Sequence, residues 1–352
     1  MQRDSVGRRW LKFIMRGSSS KASPSGNLIS IVIPVKNERY RVRAVVEGLH
    51  RQAYRPVEVI FVDGGSTDGT AEEVANLARE FYRDDFRVRL LRESDFGPVR
   101  SPANARNIGA LNASGEYLAF FDADFDFNDD PEAVCKIAKA FREGANHVAA
   151  KYVPNAHTWI ERNLALDDVV HYFGGDKPVH VICAFRRELF LSEMFNPELG
   201  FREDFEFLDR LGKRARLITT VVDTSIRRCY PHSTREFVRQ QLWYGRTAIR
   251  YYRLAGVNAL ATLVRSNAVL GLTALAIVTA PALGPPSSAF LLLALALIYL
   301  RWLRRDVRYL GAGRSVLGRL AWYLFRETVG RLSFDAGFLM GLIKRGGARA
   351  GR

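Results

Sequence analysis

The feature that most constrains this chain is a run from Ser266 to Leu300, 35 residues long, without one charged side chain. A single helical pass through a bilayer takes about 20 residues, so the run is too long for one helix. Pro281, Gly284, Pro285 and Pro286 interrupt it in the middle. Proline there removes backbone donors and glycine loosens the chain. The expectation is a two-pass transmembrane hairpin over residues 266–303. Each arm holds only about 17 apolar residues, the lower end of the spanning range, so local thinning or a re-entrant hairpin is an alternative. A buried core hairpin is the other. Arg246, Arg250, Arg253 and Arg265 precede the run, Arg301, Arg304 and Arg305 follow it, and the turn has no charge. Excess basic flanks face the cytoplasm, so the expected location is the cell membrane, multi-pass, with the body of the chain on the cytoplasmic side.

Charge is distributed in the same sense. The formal net charge of +15 sits almost wholly at the ends: +5 over residues 1–28, +9 over 301–352 and only +1 between them. A nucleic-acid-binding protein places its basic patch on the folded domain, so nucleic acid is not an expected partner. Basic ends beside an apolar run suit an anionic membrane surface. Of the 352 residues, 48% are hydrophobic and 25% charged, which excludes a disordered or collagen-like chain. Three cysteines, Cys135, Cys183 and Cys229, show no CxxC spacing. That excludes a disulfide framework or a zinc ribbon and fits reduced thiols. Residues 1–27 read as a basic arm, with RRWLKFIMR too charged for a secretory signal. Residues 304–352 read as a basic amphipathic tail lying on the membrane surface.

Between these ends, strands and helices alternate. LISIVIPV from Leu28 is a buried, β-branched run. Val42, Val45, Val46 and Leu49 follow at helical spacing, then the strand VEVIFVD. The turn GGSTDGT leads into a helix for which Thr70 and Glu73 predict a capping box. RVRLLRE, a helix over 102–113 and the strand YLAFFDAD continue the pattern, with a further helix over 131–143. Such alternation predicts an α/β fold with a mostly parallel, Rossmann-like sheet over residues 28–250. Ligands bind such sheets at the carboxyl ends of the strands. Lys36-Asn37-Glu38, Asp63 and Asp122-Ala123-Asp124 fall at those ends.

Asp122 and Asp124 lie at i and i+2 on a strand end, so their side chains share a direction. Two such carboxylates repel unless a cation lies between them or one protonates. An all-oxygen site favours Mg²⁺ or Mn²⁺. A calcium loop of the EF-hand kind is excluded, because its sixth position is Phe127 and its twelfth Ala133. Asp126, Asp129 and Asp130 read equally well as a plain acidic loop. Neither GxxxxGK[ST] nor GxGxxG occurs, so a nucleotide here is held by its base and through its diphosphate.

IVIPVKNE, VIFVDGGSTDGT, ARNIGALNASGEYLAFFDAD and FREDFEF, in that order, resemble the successive motifs of family-2 glycosyltransferases of GT-A fold. The resemblance implies inverting transfer of a sugar from a nucleotide-diphosphate sugar, UDP- or GDP-linked. By position, it implies Pro34, Asn37 and Glu38 at the nucleoside, Asp63 at base or ribose, and Asp124 with Asp122 at the metal and diphosphate. It places Arg106 near the donor, Asp204 as the base with Glu203 beside it, and His232 as a third metal ligand. Bland readings stand beside these. Asp204 also reads as a helix cap with Glu203 or Glu206 acting instead, His232 as a surface histidine, Arg106 as the partner of a structural carboxylate, and Trp243 as packing or acceptor contact.

A membrane hairpin behind such a domain is also similar to polyprenyl-phosphate sugar synthases, whose acceptor is already anionic. Their DADLxxxPE pattern is longer here by two residues, DADFDFNDDPE, and Asp204 supplies a base. Both departures favour a hydroxyl acceptor, such as a lipid-linked glycan. The reading of another class is a non-catalytic, membrane-bound nucleotide-sugar-binding protein. A homo-oligomer is compatible with all three.

Overall fold

The computed structural model describes residues 27–170, 183–256 and 316–347, with isolated positions between 258 and 304. Residues 1–26 of the basic arm expected over 1–27 and nearly all of the hairpin expected over 266–303 lie outside the described residues. Among the described residues, no helix is long and apolar enough to cross a membrane. The chain divides into two compact units, one of Met1–Val153, Val179–Glu198 and Asp204–Arg228, the other of Pro154–Pro178, Leu199–Glu203 and Cys229–Arg352.

The first unit is built on an eight-stranded mixed sheet of order β3-β2-β1-β4-β7-β6-β8-β5. Its strands are β1 (Ile29–Val35), β2 (Val57–Asp63), β3 (Phe86–Arg92), β4 (Tyr117–Phe120), β5 (Phe125–Asp126), β6 (His147–Asn155), β7 (Cys183–Arg186) and β8 (Thr219–Cys229). β3, β2, β1 and β4 run parallel, as the alternating pattern predicts. Helices α1 (Arg39–His50), α2 (Thr70–Glu80), α3 (Pro102–Leu111) and α4 (Ala133–Arg142) connect or flank them. The other half differs from the expected mostly parallel sheet: β7 pairs antiparallel with both β4 and β6, and β5 pairs antiparallel with β8. An antiparallel neighbour needs no helical crossover between adjacent strands, so this half leaves no βαβ signature in the sequence. β8 alternates buried and exposed positions over its second half, as a strand covered on one face does.

Local chemistry fixes the site end of the sheet. Pro34 sits in a central strand yet costs no ladder bond. β4 pairs with β1 only from Ile29 to Val32, so the missing donor falls beyond the end of β4. The capping box expected of Thr70 and Glu73 does not form. Gly69, at φ +88°, precedes the helix without a side-chain cap. Asp68 instead accepts from the Thr70 amide at 3.0 Å and the Arg39 amide at 3.2 Å, while Glu73 pairs with Arg43 at 3.2 Å. One carboxylate thereby ties the starts of two helices together, which the capping-box spacing alone does not foresee. Under the sheet, Val32, Ile60, Ile108, Phe120, Phe185, Phe190, Phe195 and Phe207 form one buried cluster. A Cβ on Gly109 would strike Val32, so glycine lets α3 seat against β1.

The second unit contains α5 (Trp159–Asp168), α8 (Thr234–Leu254), α9 (Val316–Phe325), a π turn at Arg326–Gly330 and α10 (Arg331–Gly347). Helices α6 (Arg187–Glu193) and α7 (Glu203–Arg214) precede α8 in sequence. Thr158 and Glu161 do form a capping box, on α5. α8 and α10 approach closely at Gly245 and Gly337, where a Cβ would meet the carbonyls of Phe334 and Leu242. Arg319, 1% exposed, donates to Asn163 Oδ1 at 3.1 Å and pairs with Asp167. Arg326 and the Trp322 indole reach the same carboxylate at 3.3 and 2.9 Å. Arg319 and Arg326 of the expected surface tail thus turn inward, because Asp167 offers them a partner. Leu317, Leu324, Leu332, Leu339 and Ile343 are exposed.

Removing one partner of a buried ion pair strands the other charge, at about 3–5 kcal/mol. Asp167→Ala is therefore expected to lower stability by about 3 kcal/mol, read as a drop in the thermal unfolding midpoint. An unchanged midpoint would show that Arg319 does not depend on it.

Candidate active site

Three strand ends, those of β1, β2 and β4, deliver the predicted carboxylates and rim residues of the first unit. β1 ends at Val35 and runs into Asn37 and Glu38. Asn37 takes φ +59°, and its side-chain oxygen accepts from the Thr67 amide at 2.8 Å while its own amide donates to Ser66 Oγ at 2.9 Å. This cross-link holds the β1 and β2 ends together. Asp63, buried at the end of β2, accepts from the amides of Gly65 and Ser66 at 3.1–3.2 Å. It shapes the GGS turn, and a carboxylate with about four acceptor positions keeps capacity for a ligand hydroxyl or imide. Pro34, Asn37, Glu38 and Asp63 therefore share one rim, as the sequence predicts.

The two aspartates beyond β4 are compensated by arginines. Arg106, on α3, donates to Asp122 Oδ1 at 2.6 Å, and its guanidinium stands 5.8 Å from the Phe195 ring centre. Arg228, on β8, brings Nε to 3.5 Å from Asp124 Oδ2. Asp124 Oδ1 is shut off from solvent and has no hydrogen-bond partner among the described residues. Burial holds the Asp124 carboxyl above the ordinary carboxylate range, Arg228 pulls it back and Asp122 adds to the rise. Glu38 is raised as well, first by burial and further by Asp124, with Arg41 at 3.2 Å opposing. A buried Asp124 raised by a neighbouring carboxylate, with an oxygen left without a donor, fits a divalent cation of hard-oxygen preference. Among the described residues, no three His, Cys, Asp or Glu side chains gather as a metal cage. A Mg²⁺-type site needs none, since one or two carboxylates plus substrate phosphates and water suffice.

Asp204 lies in the first turn of α7, where its Oδ1 accepts from the Phe205 amide at 2.9 Å. Burial raises its carboxyl above the usual range, that amide bond and Arg106 lower it, and Asp122 raises it. Asp204, Arg106 and Asp122 thus act on one another electrostatically. The Cys183 thiol at the start of β7 is pushed up by burial and by Asp204, which places β7 beside the same group. Glu203 opens α7 one residue earlier. His232 belongs to the second unit, is exposed, and pairs with Glu236 at 3.0 Å. Trp243 lies on α8 of that unit, against Gly200.

The rest of the acidic loop is structural. Asp130 is buried and accepts from Lys136 at 2.8 Å and the Ser225 amide at 2.7 Å. Asp126 accepts from the Asn128 amide at 2.9 Å, and Asp129 pairs with Arg227. Sequence reasoning misses Arg228. It lies about a hundred residues beyond Asp124, and only the antiparallel register Phe125↔Arg228 brings the two together.

Residues 30–193 match the family model of glycosyl transferase family 2. Glycosyltransferase GlyG of Streptococcus pneumoniae is 37% identical over 97 residues, 28% of this chain and 30% of that protein. An uncharacterized glycosyltransferase of Haemophilus influenzae is 38% identical over 107 residues, 30% of this chain and 40% of that protein. The matched stretch therefore spans less than half the length of these relatives. Among solved structures, the mannosyltransferase PcManGT from Pyrobaculum calidifontis, in complex with GDP-Man and Mn²⁺, has a TM-score of 0.59 at 18% identity, covering 96% of this chain and 92% of that one. Residues 30–193, just under half of the chain, thus match glycosyl transferase family 2, and the sheet that carries the strand-end carboxylates has a GT-A-like α/β fold.

Proposed function

We propose that this chain is an inverting glycosyltransferase that moves a sugar from a nucleotide-diphosphate sugar onto a hydroxyl of a membrane-associated acceptor, such as a lipid-linked glycan. The observation that carries the reading is the coupling of Asp204, Arg106 and Asp122 beside Asp124, whose inner oxygen lacks a donor. The donor class and the divalent ion are those held by the PcManGT structure. The metal ligands on this reading are Asp122 and Asp124. A Mg²⁺ or Mn²⁺ ion held there would supply positive charge against the departing diphosphate.

The chain's own residues account for the rest. Pro34, Asn37, Glu38 and Asp63 form the nucleoside rim, and Asp63 offers acceptor lone pairs to ribose or base. Arg106, held at 2.6 Å from Asp122, would offer positive charge to the diphosphate as charge develops on it. A sugar hydroxyl is a poor nucleophile, so Asp204 takes its proton. A carboxylate raised by burial is the better base. The membrane part of the proposal is supported by the uncharged run, the basic flanks, and the exposed Leu317, Leu324, Leu332, Leu339 and Ile343. On it, the protein is multi-pass in the cell membrane with its catalytic unit in the cytoplasm.

Asp204→Asn is expected to lower kcat by about 10²–10⁴-fold with nucleotide affinity unchanged, whereas Asp124→Asn loses activity together with its response to Mn²⁺. Full rate in Asp204→Asn would remove it as the base. Bound nucleotide sugar without turnover, on any acceptor, would point to the non-catalytic binding protein. Efficient labelling of polyprenyl phosphate alone would point to a phosphate acceptor.

The pH profile tests the base separately. Because the Asp204 carboxyl is raised, it takes up its proton at a higher pH than an ordinary aspartate. The acid limb of kcat/KM is expected above the usual carboxylate range, and Arg106→Met, which removes a cation that lowers that pKa, moves the limb further up. A limb that stays put in Arg106→Met would separate the two residues. For the membrane part, the full chain is expected to stay with membranes after an alkaline carbonate wash, and its release into the soluble fraction would overturn that part alone.

A further inference from the structure

Asp122 and Asp124 are compensated in unlike ways. Arg106 holds Asp122 by a short charge-assisted bond of 2.6 Å. Arg228 approaches Asp124 only to 3.5 Å, and Oδ1 of that carboxylate receives no donor although it is shut off from solvent. A structural pair in the same unit looks different: Arg210 grips Glu193 at 2.7 Å and Glu206 at 2.8 Å. Asp124 is therefore one of several groups that hold Arg228. Its guanidinium lies 5.9 Å from the Phe125 ring centre and 5.5 Å from that of Tyr152, within cation–π range. Its Nη1 donates to Tyr152 Oη at 3.2 Å. Phe125 and Arg228 are register partners on β5 and β8, so the backbone ladder sets where the arginine stands. These contacts tie the cation to the site independently of Asp124.

We propose that Arg228 is an exchangeable counter-ion of the donor site: it balances Asp124 when no divalent cation is bound, and balances the diphosphate of the donor once a cation has taken Asp124. This rests on the donor reading above and adds to it a residue and an order of events. With two carboxylates as its ligands, the protein alone is a weak cation site, and Arg228 weakens it further by repulsion. The diphosphate supplies oxygens to the cation and a new partner to Arg228, so each ligand favours the other. Such coupling is reciprocal.

The test is Mn²⁺ binding to the full chain, followed by the electron paramagnetic resonance signal of free Mn²⁺, first alone and then with UDP or GDP. Without nucleotide, Arg228→Met and Arg228→Gln are expected to bind Mn²⁺ at least about fivefold more tightly than the parent chain, and Arg228→Lys, which keeps the charge, to stay within twofold of it. With nucleotide, the parent chain gains Mn²⁺ affinity by about tenfold or more, and the two neutral variants lose most of that gain. Asp124→Asn, with no Mn²⁺ bound, identifies the site, and circular dichroism identifies any variant that has not folded. Two neutral variants guard against one failing. Equal Mn²⁺ affinity in the parent and a folded neutral variant overturns the proposal. If neither UDP nor GDP binds the parent chain, the donor reading falls, whereas the Mn²⁺-alone comparison still decides whether Arg228 opposes the cation.

Discussion

Charge compensation of carboxylates at the carboxyl edge of a sheet is the constraint on which the rest of this structure depends. Parallel strands β1, β2 and β4 must be apolar on both faces to be covered by helices, so their polar residues are pushed to the ends. Asp63, Asp122 and Asp124 collect there as a consequence of burial elsewhere. Carboxylates taken out of water need partners. The fold supplies backbone amides to Asp63, Arg106 to Asp122 and Arg228 to Asp124. Each partner comes from a different element: a turn, a helix and the distant strand β8.

That division gives the site its chemistry. The Arg106–Asp122 pair is short and the Arg228–Asp124 pair is long, with an oxygen to spare. A site in which every lone pair were satisfied would have nothing to offer a cation or a diphosphate. Asp204 adds a carboxylate on α7 whose protonation responds to the same arginine. Burial raises its affinity for a proton.

The second unit solves a related problem with another residue. Asp167 gathers Arg319, Arg326 and the Trp322 indole, which turns the inner side of a strongly basic segment into a packing face. Helical spacing of apolar residues reveals that α9 and α10 have two sides. It does not reveal which side meets protein, because an arginine interrupting an apolar face reads as a surface residue until its carboxylate is located. The close approach at Gly245 and Gly337 is invisible for a similar reason: a glycine in a helix has no signature until the facing backbone is known.

The sequence alone determined the parallel half of the sheet and put Pro34, Asn37, Glu38, Asp63, Asp122 and Asp124 at or just beyond the ends of its strands. These depend on local periodicity and on motifs whose members are close in the chain. Only the tertiary structure decided the antiparallel half, the cap supplied by Asp68 in place of the expected Thr70 and Glu73 box, and the arrival of Arg228 at Asp124. The physical reason is separation along the chain. Antiparallel register, long-range capping and ion pairs between distant strands are set by which surfaces bury each other, and a linear pattern carries no record of that choice.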